Sequence, residues 1–237
     1  MDQLAALESD IKDFLLQRRE DCVYWIEIER NRHQRMLLRC APLDVGPYLK
    51  ASLFDAFQSV ILTSATLSCG PDSGAGFSYF SSRIGLEAYT ALQVGSPFNY
   101  AEQVTLYIET DLPEPNEPGF PEASCEAIQK YLLQSQGRAF VLFTSYAMLS
   151  DTARRLEGWL ADQQMDLYVQ GAGLDRARML DHFKQESRSV LFGTDSFWQG
   201  VDVPGRALSN VIIVRLPFAV PTHPLVQGRI ELLRQRG

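Results

Sequence analysis

Residues 193–205 read Gly-Thr-Asp-Ser-Phe-Trp-Gln-Gly-Val-Asp-Val-Pro-Gly and follow Ser189 to Phe192, a run with the composition of a buried strand. Small, turn-forming and hydroxyl-bearing residues thus arrive where such a strand leaves its sheet. In open parallel α/β sheets, ligands bind at the carboxyl ends of the strands. Backbone N–H groups, Thr194, Ser196, Gln199 and Asp202 at that edge could hold a nucleotide, a phosphodiester or both. The alternative is a tight connection carrying an exposed aspartate.

Three further segments invite the same comparison. Thr63-Ser64-Ala65-Thr66 closes the short apolar run Val60-Ile61-Leu62. Hydroxyls both donate and accept, so such a turn can relay hydrogen bonds between two sites, or act as a local turn or helix cap. Phe143-Thr144-Ser145-Tyr146 ends an apolar run and opens a helical pattern. Hydroxyls and free N–H groups there suit a phosphate, and Thr144 or Ser145 equally suits an N-cap. Ser96-Pro97-Phe98-Asn99-Tyr100, with Phe197 and Trp198, offers aromatic rings either for base stacking or for the core.

Several kinds of chemistry have no residues to carry them. The sequence has no G-x-x-x-x-G-K-[ST], no G-x-S-x-G, no H-E-x-x-H and no G-x-G-x-x-G. No Asp-Glu pair ends an apolar strand, so no metal-holding, water-activating carboxylate pair is evident. Cys22, Cys40, Cys69 and Cys125 follow no zinc or iron–sulfur spacing, and His33, His182 and His223 are isolated. These residues supply no metal site.

The positioning elements follow from periodicity. Leu4, Leu7, Ile11, Phe14 and Leu15 predict an amphipathic helix over 2–19. Residues 22–30 and 35–41 predict a hairpin around Asn31-Arg32, and Gly46-Pro47 opens a helix through Phe57. Strands are expected at 60–62, 89–94 and 103–109, with a Ser/Gly/Pro-rich loop over 68–78. Pro113, Pro115, Pro118 and Pro121 mark an extended connection. Helices at 122–136, 146–161, 174–187 and 223–235 then alternate with strands at 138–143, 166–170, 189–193 and 209–214. That alternation predicts βαβ units and a mostly parallel sheet.

The chain has 237 residues, 46% hydrophobic and 22% charged, the composition of an ordinary globular protein. Its apolar runs are too short for a membrane helix, and its acidic N-terminus is unlike a signal peptide, so a cytoplasmic location and no membrane partner are expected. A net charge of −7 argues against nucleic-acid binding driven by overall charge and leaves local contacts open.

Taken in order, Ser-Ala-Thr, S-P-F, F-T-S-Y, G-T-x-S-F-W-x-G-V-D-V-P-G and L-P-F-A-V-P-x-x-P-L-V resemble the carboxyl-terminal half of the DinG/XPD-like helicases of superfamily 2. The likeness runs from about residue 40 to the end and is nearest to the bacterial DinG type. It implies a RecA-like α/β fold: a parallel sheet flanked by helices, without its own phosphate loop, preceded by an α+β stub. Residues 1–66 would be the last part of a first motor domain and 67–237 the second motor domain. Thr63, Ser64, Ala65 and Thr66 resemble motif III, which couples ATP hydrolysis to DNA movement. Thr144 and Ser145 resemble motif IV, and Thr194 and Ser196 the DNA-facing part of motif V. Gly200 and Asp202 resemble the nucleotide-facing part of motif V, with Gln199 where the family often has Glu.

The resemblance also implies ATP and Mg²⁺ in the intact enzyme, single-stranded DNA as partner, 5′→3′ movement and a role in DNA repair or replication. The first motor domain, with its phosphate loop, would be supplied by the same full-length protein or in trans. Any iron–sulfur cluster would sit in that other part. Motif VI, Q-x-x-G-R-x-x-R, which carries the arginine finger, is not found; Gln227-Gly228-Arg229 has the wrong spacing. Loss of an arginine finger alone costs about 10³–10⁵ in rate, so the isolated chain is expected to hydrolyse no ATP. The rival expectation is a free-standing DNA- or protein-binding module that kept the fold without the catalysis. An unpaired sheet edge or exposed apolar patch near Val211–Phe218 would favour a part of a larger helicase over that module. An unrelated nucleotide-sugar enzyme with a similar sheet is a third possibility.

Overall fold

The computed structural model describes residues 2–29, 35–70 and 75–236. Packing divides the chain into two compact units, Met1–Gln103 with Ala219–Gly237, and Val104–Phe218. The division expected after residue 66 rests on motifs, which is a separate criterion from packing.

In the first unit, helix α1 (Asp2–Leu15) precedes the antiparallel strands β1 (Cys22–Glu29) and β2 (Arg35–Pro42). Their register sets Ile26 opposite Leu38 and Ile28 opposite Met36. The hairpin is therefore as expected, and its turn at Asn31-Arg32 lies outside the described residues. Helix α2 (Gly46–Leu49) starts at Gly46-Pro47 and widens into a π-turn over Lys50–Phe54, ending short of Phe57. Two further helices follow, α3 (Ser78–Ile84) and α4 (Tyr100–Gln103). Gly85 caps α3 at φ +72, and its α-carbon lies so close to Gly46 that an added Cβ would sit 2.5 Å from the Gly46 carbonyl oxygen.

The second unit is the alternating part. It runs α5 (Phe120–Ser135), β3 (Ala139–Leu142), α6 (Tyr146–Asp162), β4 (Asp166–Val169), α7 (Arg176–Gln185), β5 (Ser189–Gly193), α8 (Asp195–Trp198) and β6 (Asn210–Ile213). The four strands are all parallel, in the order β4-β5-β3-β6. Successive strand residues point to opposite faces, and both faces are covered by helices, so β3 and β5 read as continuous apolar runs. Val141, Phe143, Val190 and Phe192 pack with Ile128, Leu132, Leu149, Leu156 and Leu160 from α5 and α6. Phe140, Leu142 and Leu191 pack on the other face with Met179, Phe183 and Phe197 from α7 and α8. The chain then returns to the first unit as α9 (Pro224–Arg236).

Three expected strands are not formed. Residues 60–62, 89–94 and 103–109 pair with no strand among the described residues, and Gln103 instead ends α4. Leu92, Val94, Leu106 and Ile108 are each about three-quarters exposed or more. An apolar run becomes a strand only when a neighbour completes its hydrogen-bond ladder, and periodicity carries no information about that neighbour. Residues 104–109 are held instead against α5: Glu109 accepts hydrogen bonds from Lys130 (2.6 Å) and Tyr131 (2.5 Å).

Candidate nucleic-acid interface

The parallel topology brings the carboxyl ends of β3, β4 and β5 to one edge of the second unit. Thr144-Ser145-Tyr146 leaves β3, Gln170 follows β4, and Thr194 to Ser196 leaves β5. Ser145 caps α6: in extended backbone, its Oγ accepts from the Met148 N–H at 3.3 Å. Its own hydroxyl proton is not used by that bond. Thr194 is buried (4% exposed), whereas Ser145 and Ser196 are exposed.

One side chain joins these loops. Gln170 Oε1 accepts from the Thr194 backbone N–H (2.7 Å) and from Thr194 Oγ1 (3.1 Å). Its Nε2 donates to the Tyr146 hydroxyl (2.7 Å) and to Ser196 Oγ (3.0 Å). Thr194 therefore spends its hydroxyl proton inside the protein, and the exposed hydroxyls of this cluster are those of Ser196 and Tyr146. Gln170 was not singled out from the sequence, and Tyr146 only as the last residue of the Phe143–Tyr146 segment. The available signal was position: Gln170 ends an expected strand and precedes Gly171, as Gly193 precedes Thr194.

The other half of the 193–205 loop is held by a cation. Arg176 Nη2 donates to the carbonyls of Gln199 (3.2 Å) and Gly200 (3.0 Å), and its guanidinium lies over the Phe197 ring at 5.5 Å. Gly200 sits at φ +67, where a side chain would be strained. Asp202 and Gln199 are exposed beyond this turn. The loop is thus fastened at Thr194 by Gln170 and at Gly200 by Arg176.

The aromatic residues divide. Phe197 is 3% exposed and meets Phe140 edge-on with ring centroids 6.3 Å apart. A Cβ added at Gly193 would be 2.8 Å from Phe197, so glycine is what lets this ring enter the core. Trp198 is half-buried, and its indole N–H donates to the Phe143 carbonyl at 3.4 Å. Both belong to the packing. In the first unit, Phe98 and Tyr100 are about 60% exposed, with centroids 6.2 Å apart.

Thr63 to Thr66 lie in exposed, irregular backbone. Ser64 Oγ and Thr66 Oγ1 share a hydrogen bond (3.3 Å), and the Thr66 N–H donates to Ser64 Oγ (3.3 Å), a local hydroxyl turn. Thr63, Ser64 and Ala65 line a cavity of about 1020 Å³ with Phe54, Phe80 and Leu92, all within the first unit. Gln227-Gly228-Arg229 has a packing role there. A Cβ at Gly228 would approach Val23 to 2.7 Å, and Arg229 Nε donates to the Leu43 carbonyl at 3.2 Å.

Among the described residues there is no group of three or more His, Cys, Asp or Glu side chains able to hold a metal ion. Among the described residues, no donor set fits magnesium or an iron–sulfur cluster. No helix among the described residues is long and apolar enough to cross a membrane.

Comparison with known proteins agrees with this architecture. Residues 128–237 match the helicase C-terminal domain family. The chain is 36% identical over 214 residues to ATP-dependent DNA helicase YoaA of Escherichia coli, covering 90% of this chain and 32% of that protein. It is 36% identical over 221 residues to ATP-dependent helicase DinG of Mycobacterium tuberculosis (91% of this chain, 32% of that protein). It is 32% identical over 225 residues to the protein named 3'-5' exonuclease DinG of Bacillus subtilis (92% and 24%). The chain thus spans about a third or less of the length of these curated relatives. Four parallel strands between helices, the motif order and these relatives together support a DinG-like helicase C-terminal region.

Proposed function

We propose that this chain is the part of an ATP-dependent DNA helicase that holds the backbone of single-stranded DNA and closes one wall of the ATP site. The observation that carries this reading is the row of polar groups at one sheet edge, from Ser145 and Tyr146 through Gln170 to Thr194 and Ser196. Phosphodiester oxygens are recognised by such hydroxyls and by free N–H groups, without regard to base sequence. In this reading Thr144, Ser145 and Ser196 face DNA, with Thr194 shaping the loop through Gln170, and Gln199, Gly200 and Asp202 face the nucleotide. Thr63, Ser64, Ala65 and Thr66 couple the two sites, with residues 1–66 belonging to a first motor domain and 67–237 to a second.

ATP and Mg²⁺ would be held mainly by the other motor domain, in the same protein or in trans, and any iron–sulfur cluster would be there too. The location would be the bacterial cytoplasm. Val211, Ile213, Leu216 and Phe218 are each about half exposed or more beside the open edge of β6, which supports a part of a larger enzyme over a free-standing module. The test uses the purified 237-residue chain. Fluorescence anisotropy with a labelled oligothymidine is expected to report binding, and phosphate release from ATP is expected to stay at background with and without DNA. DNA-stimulated hydrolysis would overturn the claim of inactivity alone; no binding would overturn the DNA-holding role.

A further inference from the structure

Gln170 does more than tie two loops. A backbone N–H can only donate, so the Gln170 atom 2.7 Å from the Thr194 nitrogen must be Oε1, and the amide has a single orientation. Nε2 then faces the two hydroxyls, and both of its protons are donated, one to Tyr146 and one to Ser196. Each hydroxyl oxygen is used as an acceptor from within the protein. Each O–H proton is consequently left to point away from Nε2, and both side chains are exposed. Two hydroxyl oxygens that share one nitrogen lie close enough to serve the two non-bridging oxygens of one phosphate.

We infer that Tyr146 and Ser196 form a paired-donor subsite for one phosphodiester of single-stranded DNA, with Gln170 as the positioning residue that fixes the direction of both O–H groups. Tyr146 closes the F-T-S-Y segment, in which the resemblance gives roles only to Thr144 and Ser145. The inference rests on the DNA-holding reading above and names one of its contacts. Acceptor-only anions fit the subsite; bases are not read by it.

Tyr146→Phe removes one oxygen and keeps the ring. It is expected to weaken oligothymidine binding by the 237-residue chain about tenfold, as for a hydrogen bond to a charged group, with an unchanged melting temperature. Gln170→Glu separates positioning from packing. A carboxylate still accepts from the Thr194 N–H, so slow hydrogen exchange at that amide is expected to persist. A carboxylate can only accept, so both hydroxyls must turn their protons inward, and DNA affinity is expected to fall at least as far as in Tyr146→Phe. Wild-type affinity in both variants, beside a wild-type chain that binds DNA, would overturn the subsite and leave the broader reading standing. A wild-type chain that binds no DNA would overturn both. Loss of Thr194 protection in Gln170→Glu would overturn the positioning role alone.

Discussion

At the scale of single residues, the hydroxyls of this chain divide by what they already do. Thr194 gives its proton to Gln170 and is buried, so it shapes the loop and offers little to a ligand. Ser145 accepts one helix N–H and retains its proton. Its two roles, cap and DNA contact, can be separated by substitution. Ser145→Ala removes both and is expected to cost about 1 kcal/mol of stability. Ser145→Asp keeps an acceptor at the N-cap and adds a favourable charge there, so thermal stability is expected to match or exceed wild type. The same charge repels phosphate, so oligothymidine affinity should fall in Ser145→Asp as in Ser145→Ala. An Asp variant that binds DNA like wild type would remove Ser145 from the interface. Of the residues singled out in the sequence, Phe197 and Trp198 were ambiguous because an aromatic ring suits base and core alike. Burial against Phe140 and the Phe143 carbonyl decided for the core.

Helix α6 carries the Ser145–Tyr146 edge, and its first turns include a local ion cluster. Asp151 accepts from Arg155 Nε at 2.7 Å and also contacts Arg154. The hydrogen bond from Arg155 is the main reason that the Asp151 carboxyl is held below its ordinary value of 3.8. A carboxylate with a lowered folded-state pKa contributes stability above its unfolded value and loses it as the pH falls through the folded value. The Asp151→Asn variant is therefore expected to be slightly less stable than wild type at pH 7 and equal to it near pH 2. The difference at pH 7 is small because Arg155 is 44% and Asp151 29% exposed, so solvent screens the pair. Urea unfolding at the two pH values checks this; an equal deficit at both would assign Asp151 a packing role. Most elements of this unit were legible from period and turn residues alone, with β5 matching its expected span and α6 longer by one residue. The expected strands at 89–94, in the first unit, and at 103–109 did not form, since a strand is a property of two segments and only one was in view.

For the whole molecule, the charge balance constrains how DNA can be held. The net charge is −7, and the groups at the sheet edge are neutral hydroxyls and an amide. Hydroxyl contacts release no counterions, whereas each phosphate neutralised by Lys or Arg adds about 0.7 to the salt slope for single strands. A shallow slope of about one or less is expected when anisotropy titrations are repeated over a range of salt concentrations. A steep slope would shift the binding onto arginines outside the row described here.

The sequence by itself determined the alternating α/β architecture and the order of the motifs, because strand and helix periods and turn residues are local properties. It also determined that no phosphate loop or paired-carboxylate motif is present. Only the tertiary structure decided that Gln170 and Arg176 fasten the 193–205 loop, that Thr194 is occupied, and that one amide nitrogen donates to both Tyr146 and Ser196. Those facts join residues more than 20 positions apart. They exist only once parallel strands bring three loops to one edge and an obligate backbone donor fixes the amide between them.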